Sequence, residues 1–256
     1  MPLCEVDWSS DVLAKKVGTY VILPEPGVGE GSWPVYYLLH GLSDDYTVWQ
    51  RRTRVEWYVR GLPLIVVMPD GYRGFYTDNA DGPAYARHVA EELPEFVERY
   101  FPARRDRAGR CVGGLSMGGY GALRLALGYP HRYASANSHS GALLHGSRNA
   151  PRPDGPLSVE EFRRIFGQRP EGSEHDLVAL ARRAASSGTP MPKLLVDCGT
   201  EDHLVEDNRS FSAALHGLGV AHEYREFPGG HDWDYWDTHV RDALAFHAAV
   251  MGVGER

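Results

Sequence analysis

A serine flanked by glycines is the first feature of this sequence that could do chemistry. Gly114-Leu-Ser-Met-Gly118 matches the pattern Gly-x-Ser-x-Gly and stands between a short apolar run and a helical stretch. A sharp strand-to-helix turn would hold Ser116 in a strained conformation, with its hydroxyl at a helix N-terminus that favours negative charge. The five letters also fit a glycine-rich turn that packs tightly and catalyses nothing. The interpretation therefore depends on partners elsewhere in the chain.

Those partners would be a base and an acid, because a serine hydroxyl is a poor nucleophile at neutral pH. Asp202 follows the apolar run that ends at Val196, and His231 follows the run that ends at Phe227. The carboxyl ends of parallel strands share the sheet edge at which ligands bind. The sequence thus predicts Ser116 as nucleophile, His231 as base and then acid, and Asp202 as the carboxylate that orients the imidazole.

Other interpretations of these two partners remain open. Asp202 could cap the helix that begins near Leu204, alone or in addition to its catalytic role. Glu201 is a competing acid, although we expect it to be solvated. His231 is one of 12 histidines and could lie on the surface, but its Gly-Gly-His setting directly after a strand favours the catalytic role.

Two backbone N–H groups are predicted to stabilise a developing oxyanion. They are those of Leu42, in the loop that follows the apolar run 35–39, and of Met117, directly after the serine. Each such donor contributes roughly 3–4 kcal/mol of barrier lowering. His40-Gly41 could instead simply end a strand, and the His40 side chain is expected to support the loop.

Four aromatic side chains are candidates for lining the acyl or alcohol pocket, namely Trp49, Tyr76, Trp233 and Trp236. Each could equally be an ordinary packing residue. The sequence shows no spacing of Cys and His typical of a metal site. We therefore expect no metal and no cofactor.

The elements that must position these residues alternate between strands and helices, which predicts an α/β fold with a mostly parallel twisted sheet and helices on both faces. Strands are predicted over 4–8 and 13–23 as an opening antiparallel pair, and over 35–39, 64–68, 111–112, 134–140, 194–196 and 223–227. Helices are predicted directly after Ser116 and over 49–59, 85–100, 159–166, 176–185, 204–218 and 236–251. A single domain over 1–256 is expected, with 144–193 as a short cap-like insertion.

Composition limits the choice of partners. A net charge of −7 over 256 residues argues against nucleic acid or an anionic membrane. Three cysteines stand at unrelated spacings, and two of them, Cys111 and Cys198, lie in apolar runs that predict buried thiols, so no disulfide framework is expected. The first residues resemble no signal peptide, and no apolar run is long enough for a membrane span, so a cytoplasmic protein is expected. The predicted partner is a small-molecule ester, and a homo-oligomer is possible.

Several motifs together resemble the esterase D family, which includes S-formylglutathione hydrolases, tributyrin, acetyl-xylan and feruloyl esterases, and the antigen 85 mycolyltransferases. They are Leu38–Leu42, Tyr76–Asp78, Glu91–Pro94, Gly114–Ala122, Gly199–Asp202 and Gly230-His231. The resemblance extends from about Tyr36 to Phe246. It is strongest with the tributyrin esterase branch, through Phe75–Asp78 and His139–Ala142.

The resemblance implies an α/β-hydrolase fold and a serine carboxylesterase that hydrolyses short-acyl esters through an acyl-enzyme intermediate. Tyr120 stands where S-formylglutathione hydrolases carry histidine, which disfavours a glutathione thioester as substrate. A thioesterase of that type remains an alternative. So does an acyltransferase or a non-catalytic binding module on the same fold.

Overall fold

The computed structural model describes residues 1–29 and 31–253. Within these residues one eight-stranded sheet has the order β1-β2-β4-β3-β5-β6-β7-β8. Its strands are β1 (Leu3–Ser10), β2 (Lys15–Ile22), β3 (Val35–Leu39), β4 (Ile65–Pro69), β5 (Arg110–Leu115), β6 (Ser135–His139), β7 (Lys193–Gly199) and β8 (Glu223–Phe227). Strand β2 runs antiparallel to both β1 and β4, and the other pairs are parallel. The predicted mostly parallel sheet with an opening antiparallel pair is confirmed.

Helices follow the strands as the alternating pattern predicts. They are α1 (Val48–Arg52), α2 (Val55–Tyr58), α3 (Tyr85–Arg87), α4 (Leu93–Tyr100), α5 (Met117–Gly128), α6 (Val159–Phe166), α7 (Leu177–Ser186), α8 (Val205–Gly217) and α9 (Trp233–Met251). A π-helical turn over His88–Glu92 joins α3 to α4, and short 3₁₀ turns cover Arg107–Gly109 and His145–Ser147. In the part of the chain that is described, no helix is both long and apolar enough to cross a membrane.

Two hydrophobic cores lie on the two faces of the sheet. Successive side chains of a strand point to opposite faces, so Val35, Tyr37 and Leu39 join one core while Tyr36 and Leu38 join the other. Helices α1, α2 and α9 cover the second of these faces, and α3 to α8 contribute to the first. Because β3 is buried on both faces, its end is rigidly placed beside the serine turn.

The structure interrupts two of the predicted helices. The helix predicted over 49–59 breaks between α1 and α2, where the backbone N–H of Arg54 donates to Asp237 Oδ1 at 2.7 Å instead of continuing the helix. The helix predicted over 85–100 widens into the π-helical turn. Pro94 has no N–H to donate to the Ala90 carbonyl, and that carbonyl instead accepts a 2.9 Å hydrogen bond from Arg132 Nη1.

The segment 144–193 packs its helix α7 against helices that cover the sheet. Helix α7 packs on both α5 and α8. Arg148 and Arg152 of this segment form ion pairs with Asp207 of α8, at 2.6 and 3.3 Å. These contacts bring the loop that carries both arginines close to the serine turn. The division of the chain into one domain with a cap stays a prediction.

Candidate active site

Ser116 lies at the turn between β5 and α5 with φ 53° and ψ −114°, a left-handed conformation that side chains rarely adopt. Its main-chain groups are nevertheless satisfied. The Ser116 N–H donates to the His139 carbonyl at 2.9 Å, and the Ser116 carbonyl accepts from the N–H groups of Tyr120 and Ala142, both at 3.1 Å. Hydrogen bonds to neighbouring elements therefore hold the strained residue in place.

Gly114 and Gly118 are required by the close approach of the turn to β3. A Cβ atom at Gly114 would lie 2.5 Å from the Leu39 carbonyl oxygen. One at Gly118 would lie 2.5 Å from the same oxygen and 2.6 Å from that of His40. Because these neighbours are backbone atoms of a buried strand end, they have no freedom to move away.

We expect Gly118→Ala to lower the free energy of unfolding by about 1–3 kcal/mol, as overpacking does in dense cores. Gly128→Ala at the other end of α5 is the matched control, since a Cβ there meets its nearest neighbours at 3.7 and 3.9 Å. That control should be neutral or slightly stabilising, because alanine favours a helix over glycine. Urea unfolding measures both variants, and equal stability for the two would contradict the packing argument.

The structure brings the three predicted triad side chains together. His231 Nε2 lies 3.0 Å from Ser116 Oγ, and His231 Nδ1 lies 2.8 Å from Asp202 Oδ2. The turns that carry the acid and the imidazole are also joined directly, since the Glu201 N–H donates to the Gly229 carbonyl at 3.0 Å and the Gly229 N–H donates to Glu201 Oε2 at 2.7 Å. Glu201 thus supports the turn and does not contact the imidazole.

Asp202 is held as an anion beneath the imidazole. Its side chain is fully buried, whereas that of His231 is 22% exposed. Burial alone would raise the pKa of Asp202, but the hydrogen bond and charge of His231 and the N–H of Leu204, which donates to Oδ1 at 2.8 Å, bring that pKa below its usual value. The carboxylate therefore stays ionised and fixes the proton of His231 on Nδ1. Its bond to the Leu204 N–H lies just before α8, whose N-cap residue is Leu204, so Asp202 does not cap that helix.

Leu42 and Met117, which carry the two predicted oxyanion donors, line the same cavity as Ser116. Among the described residues, neither the N–H of Leu42 nor that of Met117 has a hydrogen-bond acceptor. The buried ring of His40 fixes the Leu42 loop, because its Nε2 accepts from the Gly71 N–H at 2.9 Å while its Nδ1 donates to the Gly41 carbonyl at 2.7 Å. His40 therefore supports the loop, as expected, and the two predicted donors belong to residues that line the same cavity as Ser116.

Two of the four predicted pocket aromatics do not line a cavity at Ser116, which corrects that expectation. Trp49 and Tyr76 are 1% and 0% exposed. Trp49 Nε1 donates to the Leu39 carbonyl at 3.0 Å, and Tyr76 Oη accepts from the His40 N–H at 3.0 Å. Both rings pack beneath the loop after β3, where their polar atoms bind its backbone, so they are supports of the predicted oxyanion site.

Two cavities open from Ser116 and His231. One, of about 370 Å³, is walled by Trp233 and Trp236, as predicted for these two residues. The other has a volume of about 390 Å³. Besides the predicted oxyanion residues Leu42 and Met117, its wall comprises Ser43, Phe75, Ala142, His145, Arg152, Asp154, Gly155, Pro156, His203 and Leu204. The part from His145 to Pro156 was not predicted, since the sequence there carries no motif. A larger open groove of about 1090 Å³, beside Trp57 and α9, contains neither Ser116 nor His231.

A chain of buried polar side chains beneath the serine turn also escaped prediction. His139 Nδ1 donates to Asp197 Oδ2 at 2.7 Å, and Tyr235 Oη donates to Asp197 Oδ1 at 3.0 Å. Asn137 Oδ1 accepts from Tyr36 Oη at 2.7 Å, so its Nδ2 donates to His139 Nε2 at 3.0 Å. Each donor therefore meets an acceptor, and these hydrogen bonds offset the desolvation cost of burying the polar groups.

This network joins the three elements that carry the predicted triad. The His139 carbonyl accepts the Ser116 N–H, Asp197 lies on the strand that leads to Asp202, and Tyr235 lies in the first turn of α9, four residues after His231. Burial and the Asp197 charge raise the pKa of Tyr235, so its phenol remains a donor. The signal that could have indicated this network is the presence of polar residues within otherwise apolar strands.

Comparison with known proteins is consistent with this arrangement. Residues 10–247 match the model of the family described as "Putative esterase". An acetyl esterase of Caldicellulosiruptor saccharolyticus is 31% identical over 98% of this chain and 99% of its own length. The substrate-bound structure of FphF, a fluorophosphonate-binding serine hydrolase of Staphylococcus aureus, superposes with a TM-score of 0.87 at 29% identity, covering 96% of this chain and 98% of that one. The S-formylglutathione hydrolase FrmB of the same organism superposes with a TM-score of 0.85 at 28% identity over 96% and 99%.

Proposed function

The chain belongs to this esterase family, and from that premise we propose that it is a serine carboxylesterase hydrolysing short-acyl esters through a Ser116–His231–Asp202 triad. The observation that carries the proposal is the pair of contacts made by His231, 3.0 Å to the hydroxyl and 2.8 Å to the carboxylate. Two unpaired N–H donors lie beside the same hydroxyl. This combination is what acyl transfer to serine requires.

In the first half of the reaction, Ser116 Oγ attacks the ester carbonyl while His231 Nε2 accepts the hydroxyl proton. The N–H groups of Leu42 and Met117 bind the oxyanion of the tetrahedral intermediate, and Asp202 stabilises the imidazolium. His231 then donates the proton to the departing alcohol oxygen, which leaves an acyl-enzyme. Water attacks the acyl carbonyl in the second half, with His231 again as base, and acid and free serine are released.

The two cavities suit the two parts of a small ester, because both meet at Ser116 and each lies near the lower end of the volumes typical of ligand sites. Trp233 and Trp236 form one side of the smaller one. The larger one has His145, Arg152 and Asp154 in its wall. We infer that the aromatic cavity, walled by the two indole rings, takes a short acyl group and that the other cavity takes the alcohol.

A panel of p-nitrophenyl esters graded by acyl length tests this substrate class. We expect kcat/KM to be highest for acetyl to butyryl esters and to fall steeply for octanoyl and longer chains, since two indole rings limit the aromatic cavity. Trp233→Ala should shift the optimum to longer chains. Rates that rise through dodecanoyl, or an optimum unmoved in Trp233→Ala, would contradict the acyl assignment.

A thioesterase activity is the second candidate, favoured by the similarity to the S-formylglutathione hydrolase structure. Glutathione carries two carboxylates, and Arg152 lies in the wall of the larger cavity. That guanidinium is already paired with Asp207 and Asp154, at 3.3 and 3.5 Å, which leaves it less able to bind a glutathione carboxylate. Including S-formylglutathione in the panel separates the two activities by their kcat/KM values.

A further inference from the structure

A second histidine stands next to the proposed triad and has no role in it. His203 Nδ1 lies 3.5 Å from Asp202 Oδ1, the carboxylate oxygen that does not bind His231. The rings of His203 and His231 meet edge to face with centroids 4.6 Å apart. One ligand atom from each of Asp202, His203 and His231 lies within 4.8 Å of the others. Three side chains with metal-binding atoms thus converge at one place.

This place is open to solution. The His203 side chain is 59% exposed, and both His203 and His231 line the larger cavity at Ser116, with the buried carboxylate beneath them. An ion entering that cavity would meet the two imidazoles first and the carboxylate behind them. An entry path and three converging ligands are among the requirements of a metal site.

The donor set selects the kind of ion. Two imidazole nitrogens and one carboxylate oxygen form a set that binds Zn²⁺ with a fourth position left for water. Mg²⁺ and Ca²⁺ prefer oxygen ligands and full shells of them.

We propose that Asp202, His203 and His231 form an inhibitory Zn²⁺ site at the wall of the substrate cavity. The inhibitory part of this inference rests on the proposed function, because two of the three ligands are the acid and base of the proposed triad. Binding of the ion itself requires only the three side chains.

Zinc binding and catalysis exclude each other in this arrangement. If Zn²⁺ takes His231 Nε2, the lone pair that would accept the Ser116 proton is used. If it takes Nδ1, the ring proton moves to Nε2, which then only donates. In either case His231 no longer acts as a base. When Zn²⁺ binds Nδ1, the hydrogen bond between Nδ1 and Asp202 is lost as well. Enzyme with zinc bound is therefore inactive.

The test compares inhibition of p-nitrophenyl acetate hydrolysis by ZnCl₂ in a metal-free, non-chelating buffer, each variant being scaled to its own zinc-free rate. We expect His203→Ala to raise the Zn²⁺ concentration for half inhibition by at least roughly 10–100-fold. Metal affinity falls by that factor even when a residue that only orients a ligand is removed. His203→Gln, which keeps a polar side chain but no imidazole, should behave in the same way. His216→Ala, at an exposed histidine of α8, is the control and should match the unmodified chain.

MgCl₂ at the same concentrations should leave the rate unchanged, since the effect depends on imidazole ligation. Calorimetric titration of Ser116→Ala with ZnCl₂ measures binding without turnover, and the further change His203→Ala should remove most of that heat. If Ser116→Ala stays active, the proposed function fails while the calorimetry still decides the zinc site. Equal inhibition of the His203 and His216 variants, equal inhibition by Mg²⁺, or unchanged binding heat would overturn the proposal.

Discussion

Ser116→Ala is expected to lower kcat by about 10⁶-fold on p-nitrophenyl acetate, the scale of loss found when a serine nucleophile of a triad is removed. The reason is structural. Ser116 Oγ is the atom placed 3.0 Å from His231 Nε2, and no acyl-enzyme forms without it. The Leu42 and Met117 N–H groups remain in the variant, so a residual rate above that of water alone is expected.

Ser186→Ala is the matched control, because Ser186 is an exposed serine at the end of α7 whose hydroxyl donates to the Arg182 carbonyl, away from the cavity at Ser116. Its kcat should equal that of the unmodified chain. A fluorophosphonate probe should label the control and leave Ser116→Ala unlabelled. Retention of even a tenth of the original rate by Ser116→Ala would show that another group is the nucleophile.

The strand ends and the contacts among Ser116, His231 and Asp202 could be predicted because their signals are local. A buried strand reads as a continuous apolar run, and β3 was predicted with the bounds that the structure has. The catalytic candidates follow such runs directly, at turns marked by glycine. The sheet edge then brings them together without any further information, since parallel strands end on the same side.

The positions of the aromatic residues could not be predicted, because they depend on contacts between distant parts of the chain. Tyr76 turns inward after Phe75, and both residues have positive φ angles, 51° for Phe75 and 49° for Tyr76. The backbone preferences of large aromatic residues give no indication of a turn with positive φ angles. Trp49 is buried because its indole N–H reaches the end of β3. An aromatic residue that is close to a site in the sequence can thus be buried beneath the site without lining its cavity.

The cavity wall formed by 145–156 was missed for a different reason. That stretch has no regular periodicity, and it is held near Ser116 by the pairing of Arg148 and Arg152 with Asp207. A sequence does not show which of its many carboxylates an arginine will meet. Substrate preference therefore depends on the part of the chain that is least predictable, while the chemistry depends on the part that is most predictable.

Asp202→Asn is expected to lower kcat by about 10⁴-fold, the scale observed when the triad carboxylate is replaced by its amide. The Leu204 N–H is a fixed donor aimed at Oδ1 of residue 202. The amide oxygen of asparagine would take that bond, which turns the NH₂ group toward His231 Nδ1. The imidazole must then accept at Nδ1 and carry its proton on Nε2, so it has no lone pair for the Ser116 hydroxyl.

Glu201→Gln is the control for this variant, since Glu201 is the neighbouring acid and its amide can still accept the Gly229 N–H. We expect its kcat to stay within a few fold of the original. The pH profile adds a second test. Because the pKa of Asp202 is lowered, its carboxylate stays ionised in mildly acidic solution, so we expect no loss of kcat/KM there through protonation of Asp202. A loss in Glu201→Gln equal to that in Asp202→Asn would show that residue 202 has no special role, because only the Asp202 carboxylate contacts His231 Nδ1.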